Sequence, residues 1–283
     1  MLTIKWWQVI NPAIYLISIL PAIAVIIFAG KNSVWQAGLV FSTLAVVLLQ
    51  HAINLFNDVS DWRLGADTEK MDSWVRVHHG NTRPVTVHAI ISFIIGSLIG
   101  LFVLIIADQL WLLLIALPLI ALGYLYNAGT SPLSYSWMGE WVTAICYGPG
   151  VFGCLWLVSG LDFNLTAIIG MLAFAALATS LLLSHQPPQI ETDQRVGKKS
   201  FAVRYGRHRT YQVSVFLFTL AMLLIGTGIS INHNDNDLQY AAFLLALISS
   251  AYLVNTCPNP KKVLLLSSAM LLLCIMYLYS SNY

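Results

Sequence analysis

The feature that most constrains this chain is a repetition of apolar stretches, each long enough to cross a lipid bilayer. Such a crossing needs about 20 consecutive, mostly apolar residues. Nine stretches qualify, at about 9–30, 34–56, 85–106, 110–127, 140–159, 165–184, 211–232, 238–256 and 262–281. In lipid each backbone N–H and C=O must be satisfied inside the protein, so stretches of this kind are expected to be helices. Composition agrees with that reading. The chain is 58% hydrophobic and 9% charged, where a soluble domain carries about 25% charged residues. A soluble globule is excluded, and so is a disordered chain, which is polar and charge-rich. The net charge of +2 is too small to point to a nucleic-acid partner. The partner is a lipid bilayer. The first stretch, interrupted by Pro12 and Pro21, is too long for the apolar core of a cleaved signal and is read as a retained helix. Cys146, Cys154, Cys257 and Cys274 show no Cys-x-x-Cys spacing and are read as buried small hydrophobes. The expected fold is all-α and integral to the membrane, a single domain over 1–283.

The charges orient the spans. With the N-terminus cytoplasmic, nine crossings put the two long loops, about 57–84 and 185–210, on the cytoplasmic side together with the Lys261-Lys262 turn. Of the 14 basic residues, Lys31 alone then falls on the far side. Asp108, Asp162, Asp235 and Asp237 also lie there. So strong a bias supports the helix count, and a bacterial inner membrane is the expected location. Both long loops follow an even-numbered helix, four crossings apart. This suggests two four-helix repeats plus one helix, a plan that often places a site at the repeat interface.

The second helix runs out through Asn54-Leu55-Phe56-Asn57-Asp58-Val59-Ser60-Asp61. Positions 54, 57, 58 and 61 follow i, i+3, i+4, i+7, so two amides and two carboxylates share one helical face. Two anions on one face at the membrane boundary repel each other unless a cation joins them. Hard carboxylate and amide oxygens suit Mg²⁺, which commonly links carboxylates to substrate phosphates. Asp67, after the Gly65 turn, is the best further ligand in that loop.

The second loop reads Ser184-His185-Gln186-Pro187-Pro188-Gln189-Ile190-Glu191-Thr192-Asp193-Gln194-Arg195-Val196-Gly197-Lys198-Lys199-Ser200. Pro187 is expected to push Gln186 out of helical geometry, with a short helix of about 188–196 following and Gly197 closing it. Gln189 and Asp193 then share a face. An acid followed by Arg195, Lys198 and Lys199 is what a metal-diphosphate requires: the carboxylate holds Mg²⁺ while the bases neutralise the remaining phosphate charge.

With these residues in view, the chain resembles the UbiA superfamily of membrane prenyltransferases over nearly its whole length. Asn54, Asn57, Asp58 and Asp61 match that family's Asn-x-x-x-Asp and Asn-Asp-x-x-Asp patterns. The menaquinone-pathway branch, the 1,4-dihydroxy-2-naphthoate prenyltransferases, is the most similar. Shared features are Gly65-Ala66-Asp67, Arg83-Pro84, Tyr124-Leu125-Tyr126-Asn127, Ser131-Pro132-Leu133, Tyr135, Gly139-Glu140 and Tyr147-Gly148-Pro149. The run from Gly197 to Gly206 matches as well. The chain departs from the pattern at Gln189, which stands where the family has the first Asp of its second motif, and at the His185-to-Pro188 lead.

The resemblance implies a polyprenyl diphosphate donor, an aromatic acceptor and Mg²⁺. Catalysis would rest on Asn54, Asp58, Asp61 and Asp193. Metal ligands would be Asn54, Asp58, Asp61, Asp67, Glu191 and Asp193. Arg83, Arg195, Lys198 and Lys199 would take the diphosphate. Tyr124, Tyr126, Asn127, Glu140, Tyr147 and Gln189 would contact substrate, the tyrosines as faces for an allylic cation and Glu140 to orient the acceptor. Two alternatives stay open at this stage. One keeps the donor but changes the acceptor to 4-hydroxybenzoate or another phenol, or has the cation cyclise. The other is a cation-coupled transporter, against which the polar residues gather at one membrane surface and not at the midplane.

Overall fold

The structure is a computed structural model that describes residues 9–30, 32–66, 73–127, 132–233 and 236–281. Asp67 lies outside the described residues. Among those described, nine helices are long and apolar enough to cross a membrane: α1 Pro12–Ala29, α2 Gln36–Leu64, α3 Thr82–Ile106, α4 Leu110–Asn127, α5 Gly139–Val158, α6 Leu165–His185, α7 Phe201–His233, α8 Asn236–Thr256 and α9 Pro260–Ser281. The chain is an integral membrane protein. Its outer wall is what lipid requires: Leu98 and Phe102 of α3 and Leu114 of α4 are 60%, 62% and 79% exposed. Such residues would be costly in water and are at no disadvantage against acyl chains.

Because lipid is itself apolar, helices here associate through close packing and internal hydrogen bonds. The most extensive pairings are α2 with α3 and α6 with α7, four crossings apart, as two repeats predict. Ser180 and Ser214 show the second device. Each donates its hydroxyl to the other's carbonyl, at 2.7 and 2.9 Å, and so locks α6 to α7. Small residues supply the first. A Cβ on Gly148 would stand 2.5 Å from the Met171 carbonyl oxygen and 2.8 Å from Ala175 Cβ, so only glycine lets α5 lie this close to α6. A central core of Phe28, Phe152, Trp156 and Phe174 fills the middle, with Phe152 and Phe174 stacked at 5.3 Å.

Several boundaries differ from the sequence expectation. α2 does not stop near 56 but continues to Leu64, α3 begins at Thr82 and α7 at Phe201. Among the described residues, much of both long loops is therefore helical, since polar residues end a membrane span without ending a helix. Gly206, at φ 80° and ψ 165°, breaks α7 after its first turn. Gln186 does not leave helical geometry; its φ/ψ of −69°/−37° carry α6 into a 3-10 turn, Pro187–Gln189, and then a short helix, Ile190–Arg195. The preference against α before proline is modest, and here the Gln186 side chain is bonded at both ends: Nε2 donates to Glu140 at 3.1 Å and Oε1 accepts from Ala202 N–H at 3.1 Å. α5 contains a π-helical segment, Cys146–Gly153, around Pro149, the wider turn absorbing the missing N–H. Cys257 is exposed in the α8–α9 turn, not buried as expected, because that turn lies beyond the apolar spans.

Candidate active site

The uninterrupted course of α2 keeps Asn54, Asn57, Asp58 and Asp61 on one face. Burial differs sharply along it: Asp58 and Asp61 are 6% and 4% exposed, while Asn54 opens into a chamber. Asp58 Oδ2 accepts from Ser73 Oγ and from the Val75 N–H, both at 3.0 Å, so the connection to α3 folds back over the carboxylate. Asp61 accepts from Asn57 Nδ2 at 2.8 Å and from the Tyr135 hydroxyl at 2.9 Å.

The second motif mirrors the first. Asp193 is 4% exposed, accepts from Ser200 Oγ at 2.8 Å, and has the Lys198 ammonium 3.7 Å away. Gly197, at φ 73°, lets the chain turn so that Lys198 and Ser200 both face this carboxylate.

Tyr135, in the α4–α5 connection, joins the two motifs. Its hydroxyl is on Asp61, its ring lies 5.2 Å from the Lys198 ammonium, and its carbonyl accepts from Lys199 N–H at 2.9 Å. The sequence quotes Tyr135 only as part of a matching run; nothing in spacing or periodicity marks it as the bridge. Ser73 and Ser200, the side-chain donors to Asp58 and Asp193, carry no sequence signal either.

Glu140 sits at a junction of three helices. Its carboxylate takes Gln186 Nε2 at 3.1 Å, Phe201 N–H at 2.8 Å and Arg204 Nη2 at 3.2 Å. It ties the starts of α5 and α7 to the end of α6. Asn127, 4% exposed, donates to the Ile53 carbonyl at 2.9 Å and so ties α4 to α2. Tyr124 is 51% exposed and sits edge-on to Phe56 on the outer wall. Two residues on, about 200° around the helix, Tyr126 faces the interior instead. The same geometry exposes Glu191 on the opposite side of its short helix from Asp193. Gln189 is half-buried at the end of the 3-10 turn. Arg83, Arg195 and Lys199 are exposed at this end of the bundle and Lys198 is half-buried.

Beside the carboxylates lies a chamber of about 400 Å³ between α1, α2, α4, α5 and α6. Asn54, Tyr126, Thr143 and His185 line its end near the two motifs; Ile17, Val46, Leu119 and Val151 line the rest. Such a volume suits an organic ligand with one polar end.

The donor set can be tested against Mg²⁺. Three buried carboxylates offer hard oxygens. Among the described residues no group of three or more His, Cys, Asp or Glu is placed to hold an ion alone. Mg²⁺, which keeps waters and takes one or two carboxylates plus substrate phosphates, fits these carboxylates.

The profile of the UbiA prenyltransferase family matches residues 18–282. The chain is 26% identical over 246 residues to a 1,4-dihydroxy-2-naphthoate octaprenyltransferase of Bacillus subtilis, covering 84% of this chain and 77% of that protein. A protein of the same name from Mycobacterium tuberculosis is 30% identical over 195 residues, 68% of this chain and 66% of the other. Among solved structures, a UbiA homologue from Archaeoglobus fulgidus bound to GPP and Mg²⁺ aligns over 98% of each chain with a TM-score of 0.69 at 15% identity. That likeness concerns the fold.

Proposed function

The chain belongs to the UbiA prenyltransferase family, and from that premise we propose that it transfers a polyprenyl group from a prenyl diphosphate to 1,4-dihydroxy-2-naphthoate in menaquinone biosynthesis. The observation that carries this reading is the pairing of two buried carboxylate motifs, joined through Tyr135, with an apolar chamber beside them. A diphosphate head and a hydrocarbon tail need these two environments next to each other.

Asn54, Asp58, Asp61 and Asp193 would hold Mg²⁺ against the diphosphate. Bound there, Mg²⁺ supplies charge neutralisation of a leaving group that departs as an anion. Lys198, held between Asp193 and the Tyr135 ring, presents an ammonium to the same charge; Lys199, Arg195 and Arg83 are exposed at the same end of the bundle. The C1–O bond breaks with its electron pair leaving on the diphosphate. The ring carbon beside an acceptor hydroxyl attacks C1, and the ring proton is then lost. The chamber's apolar wall excludes water from the allylic cation, and Tyr126 and Tyr147 give it aromatic faces. We place the motifs on the cytoplasmic side of a bacterial inner membrane, following the distribution of basic residues.

The test is incubation of purified protein in nanodiscs with prenyl diphosphates of several lengths, Mg²⁺ and a panel of aromatic acceptors, with products identified by mass. Prenylated dihydroxynaphthoate is expected, and none from Asp58→Ala. Full activity in that variant, or after complete chelation, overturns the metal assignment. Failure to release diphosphate from any donor would favour transport over catalysis.

A further inference from the structure

The chamber carries a polar spot that a hydrocarbon tail does not need. Gln50 lies one turn before Asn54 on α2, so it meets the chamber on the same face about 6 Å deeper. It is 8% exposed. Ser18 of α1, fully buried, donates to Gln50 Oε1 at 2.6 Å, and Gln50 Nε2 donates to the Ile14 carbonyl at 3.1 Å. A carbonyl can only accept, which fixes the orientation of the amide. Tyr147 of α5 lines the chamber as well, with its side chain near Ser18.

The bonds therefore run in one direction, from Ser18 to Gln50 to Ile14. An amide has two N–H donors, and among the described residues one of those on Gln50 is engaged. A phenol oxygen that donates its proton still accepts. Two chamber-lining residues thus offer an amide donor and a phenol oxygen that accepts. A hydroxyl group, which accepts one hydrogen bond and gives another, is their complement. An aliphatic chain is not, and would leave the buried amide donor without a partner, at a cost.

Resting on the function proposed above, we propose that Gln50 and Tyr147 form the recognition subsite for a ring hydroxyl of the aromatic acceptor, with Ser18 positioning Gln50. The subsite lies one helical turn below Asn54, where the reactive end of the donor enters the chamber. A hydroxyl held there puts the ring carbon beside it next to C1. The hydroxyl-bearing acceptor is thereby selected over a ring lacking that group.

The experiment uses the full chain in nanodiscs with geranylgeranyl diphosphate, Mg²⁺ and either 1,4-dihydroxy-2-naphthoate or its mono-methyl ethers. Gln50→Leu and Tyr147→Phe are each expected to raise the acceptor KM about tenfold while the donor KM stays within about twofold. Both variants should also lose the preference for the free hydroxyl over the ether. Trp-fluorescence quenching by 1-hydroxy-2-naphthoate, measured without donor, should weaken in parallel. Tyr147→Phe leaves the Ser18–Gln50–Ile14 bonds in place and guards against misfolding of the Leu variant. A shift in donor KM with an unchanged acceptor KM overturns the subsite and assigns the residues to the tail. Equal use of hydroxyl and ether by the unsubstituted protein overturns it as well. Absence of transfer to any hydroxylated aromatic overturns the function itself, and the subsite with it.

Discussion

Removing the Glu140 side chain should loosen the junction that holds Asp193, and the cost can be assembled from its three partners. The Arg204 guanidinium is 3.2 Å away with its side chain 29% exposed, so solvent screens the pair to about 0–1 kcal/mol. The Gln186 side chain is buried and Phe201 half-buried, and each donor would be left without an acceptor at about 1–3 kcal/mol. Glu140→Ala should therefore cost about 2–7 kcal/mol. Glu140→Gln keeps an Oε1 for both donors and loses only the screened ion pair, so it should cost under about 1 kcal/mol. The assay is heat unfolding of both variants in one detergent, at fixed protein concentration, followed by Trp fluorescence. Prenyl transfer is measured alongside as a function of Mg²⁺. The Ala variant should unfold earlier and need more Mg²⁺, because Phe201 anchors Ser200 and Ser200 holds Asp193. The Gln variant should track the unsubstituted protein in both. If Gln and Ala prove equally unstable, the charge and not the acceptor geometry holds the junction, and the reasoning fails.

Gln189→Asp should lower the Mg²⁺ concentration needed for half-maximal transfer, because it adds a charged oxygen four residues before Asp193; an unchanged Mg²⁺ titration would remove Gln189 from the metal site. Tyr135→Phe deletes the hydroxyl on Asp61 but keeps the ring beside Lys198. It should lower kcat/KM at limiting Mg²⁺ by about tenfold with little change in unfolding temperature, and normal kinetics would show that the bridge is not used. Gly148→Ala forces a methyl into contact with the Met171 carbonyl and Ala175 and should cost about 1–3 kcal/mol in the same unfolding assay. An undiminished unfolding temperature would mean that α5 and α6 are not held this closely.

The carboxylates were legible because their signal is local. Asn54, Asn57, Asp58 and Asp61 sit at helical spacing directly after an apolar span, and one helix brings them together without help from the rest of the chain. Glu140 was legible as an acid at a helix start but not as a junction, because its three partners lie 46, 61 and 64 residues away. Tyr124 and Tyr126 looked alike in sequence. A difference of two positions places one on the outer wall and one in the chamber, and only the direction of α4 relative to α2 and α5 decides which. The π-helical segment of α5 was equally unreadable, since a proline within a span permits several local outcomes.

The sequence by itself determined the environment, the number of crossings and the identity of the charged face. Each follows from one-dimensional quantities: the length of apolar runs, the sidedness of bases, the helical repeat. The tertiary structure alone decided that Tyr135 bridges the two motifs, that Ser73 and Ser200 clamp their carboxylates, and that Gln50, Ser18 and Tyr147 meet in the chamber wall. These contacts join helices far apart in the chain. In a bilayer, where hydrophobicity does not discriminate one helix face from another, close packing and polar complementarity choose the partners.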